Sequence, residues 1–135
     1  MQDVLQGLAW VALGSILGGP ARYFVSGFVG RHIGETFPWG TMVVNITGAF
    51  AVGLISAGTV GEDFFPMPVA WQFAVTGFLG SYTTVSSFSL QTLMLVRDGQ
   101  IMRAGGNVIL SLALCLAAVA LGYVSGFVAL GVGAP

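Results

Sequence analysis

The 135-residue chain has no lysine, a single cysteine (Cys115), a single histidine (His32), and few charges of either sign: four Arg and five Asp or Glu. Charged residues make up 7% of it, against about 25% in an ordinary soluble domain. The absence of clustered Lys and Arg leaves no electrostatic footprint for nucleic acid. One cysteine excludes an internal disulfide, and one histidine excludes a Cys/His metal cluster. So few charges cannot cover the surface of a soluble globule, and the composition is too apolar for a disordered tail. What the chain does have is a 56% apolar fraction, 21 Gly and a mean hydropathy of +0.91. These describe an integral membrane protein.

The spacing of the charges supports that class. Asp3 and Arg22 are separated by 18 uncharged residues, Glu35 and Glu62 by 26, and Asp63 and Arg97 by 33, and 32 more follow Arg103. A spanning helix needs about 20 mainly apolar residues, so four spans are expected near Val4–Phe28, Thr41–Val60, Val69–Val96 and Gly106–Leu130. Together they make one all-α membrane domain over residues 1–135. Short segments rich in Gly and Pro join them, and the runs lack the period-two alternation of a barrel strand. The start, Met1-Gln2-Asp3, lacks a positive n-region, so the first span is expected to be retained.

Four spans put both termini and the second loop on one side, which has no Arg. The other side has Arg31, Arg97 and Arg103. The positive-inside rule then favours an external N-terminus. Gly14 and Gly18, Gly122 and Gly126, and Ala49 and Gly53 repeat small residues at four-residue spacing. Such pairs let helices approach closely in lipid, and so thin a bundle points to oligomerisation.

Polar residues inside spans are costly and need a partner or a cavity. Arg22 follows Gly18-Gly19-Pro20-Ala21. It is either a snorkelling side chain or a permanent positive charge at the mouth of an anion path. Thr41, Asn45 and Ala49 share a helical face. Asn45 serves either an interhelical hydrogen bond or an anion in a pore. In the third span, seven of the nine residues from Ser81 to Ser89 carry a hydroxyl, just after Gly77-Phe78-Leu79-Gly80. Back-bonding to carbonyls four residues earlier absorbs two or three of them, so the excess marks a broken helix lining a functional site. Its freed carbonyls suit a hard monovalent cation. In the fourth span Asn107, Ser111 and Cys115 lie on one stripe, which fits the wall of a narrow polar track. Cys115 fits a small buried side chain.

Three blocks carry a family resemblance: Gly18-Gly19-Pro20-Ala21-Arg22-Tyr23; Trp39-Gly40-Thr41 through Asn45 and Gly48; and Gly77 through Gly80 with Thr83-Thr84-Val85-Ser86-Ser87-Phe88-Ser89. With the length and the four spans, they make the chain resemble the Fluc (CrcB) family of prokaryotic fluoride channels over nearly its whole length. The resemblance implies a multi-pass protein of the plasma membrane that passively exports fluoride and relieves its toxicity. It also implies an antiparallel, dual-topology dimer with two pores. A structural sodium ion would sit at the dimer centre on the backbone carbonyls of Gly80 and Thr83. By motif position Asn45 faces the pore, Ser111 lines it, Arg22 stands in the vestibule, and Val85 and Phe88 take the places of paired phenylalanines. Thr41 and Asn107 extend this polar lining.

The chemistry is compatible: fluoride holds its water tightly, and amide and hydroxyl donors with the positive edge of a Phe88 ring replace it. The chain departs from the family at Val85, which removes one ring edge per copy, and at Gln91, where many members have Glu. The arginine bias also suggests one half of a heterodimer with an oppositely oriented paralogue, in place of a homodimer. A proton-coupled multidrug antiporter would need an acid inside the membrane, and every Asp and Glu lies outside the expected spans. A scaffold subunit would need only packing residues, against which the hydroxyl run argues. No nucleophile–base pair indicates an enzyme.

Overall fold

A computed structural model describes residues 1–34, 36–58 and 68–130. Glu35 and nearly all of the expected second loop, with Glu62 and Asp63, lie outside the described residues. The described chain is helical: α1 (Gln2–Ile33), α2 (Trp39–Ala57), α3 (Pro68–Trp71), a π-helix (Gln72–Leu79), α4 (Gly80–Tyr82), α5 (Ser86–Arg97) and α6 (Ile101–Ala129). Among these, α1, α2 and α6 are each long and apolar enough to cross a membrane. The expected third span, 69–96, is instead assembled from shorter pieces with a break after Tyr82. Both α1 and α6 begin before their expected first residues, because Asp3 and Arg103 sit in first turns that already project past the apolar run.

The helix ends follow local chemistry. Asp3 lies in the first turn of α1 and Arg31 in its last, each charge complementing the helix dipole. Gly34, at φ 113°, donates its N–H to Gly30 O at 3.0 Å and stops α1. Gly99, at φ 73°, closes α5: its N–H reaches Val96 O at 3.0 Å and that of Gln100 reaches Leu95 O at 2.8 Å. This is a Schellman turn, which needs a left-handed residue. It leaves only three residues between α5 and α6.

α2 is the central helix and buries Thr41, Met42, Val44, Gly48, Gly53 and Ala57. It packs along α6, where a Cβ on Gly53 would strike the Val119 carbonyl and one on Gly122 the Phe50 carbonyl. α1 packs along the π-helix in the same manner, with Gly14 against Phe73 and Gly77 against Val11. Backbone-to-backbone contact of this kind holds helices together where lipid supplies no hydrophobic drive. Large apolar side chains point outward instead, among them Leu5, Ile16, Ile109 and Leu121, each more than half exposed. Such a surface suits hydrocarbon.

Candidate functional site

The break begins at Thr83, whose ψ of 159° is extended, whereas Gly80 keeps helical angles (φ −62°, ψ −33°). The next amide, Thr84 N–H, donates to Asn45 Oδ1 at 2.8 Å, and Asn45 Nδ2 returns a bond to Thr84 O at 2.9 Å. Further on, Ser87 N–H donates to Thr84 Oγ1 at 3.2 Å, which caps the start of α5. In a continuous helix these two amides would serve the carbonyls four residues earlier, those of Gly80 and Thr83. Both are diverted to side chains. Because a trans peptide sets C=O opposite N–H, the Thr83 carbonyl faces away from Asn45.

The hydroxyl run divides by task. Ser81 and Thr83 back-bond to Gly77 O at 2.8 Å and Leu79 O at 2.9 Å. Tyr82 OH meets Thr47 Oγ1 at 2.9 Å. Thr84 Oγ1 also lies 3.2 Å from the hydroxyls of Ser86 and Ser87. Ser86 and Ser89 are exposed.

Two cavities meet at Thr84. One, of about 200 Å³, is lined by Arg22, Tyr23, Ser26, Thr41, Val44, Thr84 and Ser87. The other is a groove of about 280 Å³ formed by Asn45, Thr84, Val85, Phe88, Val108, Ser111 and Leu112. The structure therefore brings Asn45, Val85, Phe88 and Ser111 together, and puts Arg22 and Thr41 in the adjoining cavity. Asn45 has two N–H bonds, and one of them is spent on Thr84. Val85 is 77% exposed, while Phe88 is half-buried.

Asn107 lies behind the groove wall. It is 1% exposed and donates to Thr92 Oγ1 at 2.8 Å; Thr92 in turn donates to Phe88 O at 2.7 Å. Ser111 Oγ reaches Asn107 Oδ1 at 3.4 Å, a long bond. This relay connects the groove's serine to the backbone of its aromatic residue. Gln91 bridges two further cavities, one with Arg31 and Thr41 and one with Asp98 and Arg103, and its buried Oε1 has no partner among the described residues.

Thr84, Thr47 and Ser26 also reach the site, and none of them stands out in the sequence. Thr84 is one hydroxyl among seven there, since its role comes from its backbone. Ser26 enters because Gly40 lets α2 press against the Ser26 carbonyl.

Residues 9–123 match the family described as CrcB-like protein, Camphor Resistance (CrcB). The chain belongs to the CrcB-like family. Among its CrcB-like relatives, Fluoride-specific ion channel FluC 2 of Rhodopseudomonas palustris (strain BisB18) is 59% identical over 124 residues, covering 91% of this chain and 95% of the relative. A protein of the same name from Bradyrhizobium diazoefficiens is 60% identical over 121 residues, with 89% and 88% covered. Fluoride-specific ion channel FluC of Opitutus terrae is 51% identical over 117 residues, with 86% and 89% covered. These relatives are named as ion channels, not as enzymes.

Proposed function

We propose that the chain is a subunit of a fluoride-selective channel that lets fluoride leave the cytoplasm down its gradient and so relieves fluoride toxicity. The observation that carries this is the groove, where an amide donor, a hydroxyl and an aromatic ring converge at the break. The names of its relatives agree with it. Fluoride surrenders its hydration only to short, well-placed donors. The second N–H of Asn45 and the Ser111 hydroxyl supply such donors, and the edge of Phe88 supplies a positive but apolar wall. Arg22, permanently charged, raises the anion concentration in the adjoining cavity, which Thr41 helps to line. Val85 leaves that wall aliphatic on one side. Asn107 acts from behind, holding Ser111 and Thr92 in register.

In this reading the third crossing consists of two half-helices joined at Thr83–Val85, so the chain crosses a prokaryotic plasma membrane four times. Two copies of opposite orientation, or this chain with an oppositely oriented paralogue, complete two pores. The carbonyls of Gly80 and Thr83, whose helical amides on Thr84 and Ser87 are drawn off by Asn45 Oδ1 and Thr84 Oγ1, fit a structural sodium ion at the centre of that dimer. When bound, the ion would supply only fixed positive charge. Asn45 and the Thr84 cap shape the carbonyls that hold it.

Purified protein in fluoride-loaded liposomes should release fluoride and retain chloride. Absence of fluoride release from folded, assembled protein, both alone and with its co-expressed paralogue, would remove the reading.

A further inference from the structure

The break is held to α2 at consecutive points: Asn45 on Thr84, Gly48 against the Thr83 methyl, and Thr47 on Tyr82. The first grips the chain beyond Thr83. The third grips the turn before it, which contains Gly80. The Thr47 hydroxyl spends its own proton on Val43 O at 2.8 Å, shared with Val44 O at 3.1 Å. Its oxygen is therefore an acceptor, and Tyr82 O–H must be the donor across the 2.9 Å gap. The Tyr82 ring also stacks on Phe78, with centroids 5.9 Å apart and planes 7° from parallel. α4 continues the π-helix without interruption and is the last turn before the break, closed by Thr83 N–H on Leu79 O at 3.0 Å. Carbonyls of a last helical turn lack intrahelical amides, and the ring stacking and hydroxyl bond pin that turn where its Gly80 carbonyl is left without one.

We propose that Thr47 is a positioning residue for the cation site: through the Tyr82 hydroxyl it fixes the turn that bears the Gly80 carbonyl. The proposal rests on the sodium reading above and adds to it. Asn45 aims the Thr83 carbonyl from one side of the break, and the Thr47–Tyr82 pair sets the Gly80 carbonyl from the other. Two carbonyls make a cation site only when their directions converge, so losing either grip weakens the ion without removing any ligand. In a medium that cannot compete for hydrogen bonds, one hydroxyl pair suffices to hold this angle.

The test uses full-length protein in detergent and follows the thermal stability of the assembled form as sodium replaces N-methylglucamine. Thr47→Val and Tyr82→Phe are near-isosteric and remove one partner each. Each should raise the sodium midpoint about fivefold, the effect of one net hydrogen bond. The double variant should be no worse than either single one, and Thr47→Ser should restore the wild-type midpoint. Stability at saturating sodium should differ little among the variants, which separates misplacement of the carbonyls from a folding defect. Unchanged midpoints in both single variants, or effects that multiply in the double variant, would overturn the proposal while leaving the sodium site standing. A wild-type protein indifferent to sodium would overturn the site itself.

Discussion

Asn107 Nδ2 donates to Thr92 Oγ1 at 2.8 Å, tying α6 to α5 at a point where Asn107 is almost fully buried. A polar side chain excluded from water and lipid at such a position is held by what it bonds, so the pair registers the two helices against each other. Asn107→Leu leaves the Thr92 hydroxyl and the Ser111 hydroxyl without that amide. The expected cost is about 1–3 kcal/mol of stability, measured by thermal unfolding of the purified protein. A variant as stable as the wild type would show that the bond holds nothing.

Asn45→Leu removes the amide donor that lines the groove and strands the Thr84 amide at the break. Fluoride efflux from liposomes should fall at least about tenfold, equivalent to ~1.4 kcal/mol. Asn45→Asp keeps an acceptor for Thr84 N–H but sets a negative charge in the proposed anion path, so its flux should be as low.

Phe88→Ala removes the aromatic ring that lines the groove. Flux should drop with little change in assembly, since Phe88 is only half-buried. Size-exclusion profiles check the assembly, and a fluoride electrode checks the rate. Wild-type flux in this protein would end the assigned role of the ring.

Gly122→Val forces a branched side chain against the Phe50 carbonyl of α2. Neither backbone can give way without separating the helices, and overpacking of this kind costs roughly 1–3 kcal/mol or more. The variant should express poorly or run as aggregate in detergent. Gly105→Ala, at a position where a Cβ meets open space, should behave as wild type.

Arg31, Arg97 and Arg103 lie at the end of the bundle formed by the α1 C-terminus, the α5 C-terminus and the α6 N-terminus. Under the positive-inside rule, a reporter on either terminus should find one orientation when the chain is expressed alone. Replacing all three with Gln should mix the orientations. Equal amounts of both orientations in the unmodified chain would refute a fixed topology and leave the homodimer.

Much of this architecture is legible in the sequence, because hydrocarbon enforces few rules but strict ones. Among the described residues every charge except Arg22 marks a helix end, because charges cannot stay in hydrocarbon, and glycines four apart mark contacts because only they admit a carbonyl. The hydroxyl run announced a break for the same reason of cost. Its position was not legible: the chain leaves the helix at Thr83 because Asn45, 39 residues away, captures the Thr84 amide. The π-helix from Gln72 to Leu79 was hidden too, since the pattern of apolar residues there is too uniform to reveal its period. On α6, the four-residue spacing rightly placed Asn107 beside Ser111, but only packing decides that its amide turns towards Thr92.

Asn45 meets the peptide group of Thr84 with one donor and one acceptor, as a neighbouring strand would. Thr84's own N–H and C=O are thus satisfied by the chain that contains them. The same bonds take the helical amides away from the Gly80 and Thr83 carbonyls, and hydrocarbon penalises a carbonyl left in that state. The cost of the bend is thereby concentrated on two carbonyls, and whatever meets them relieves it.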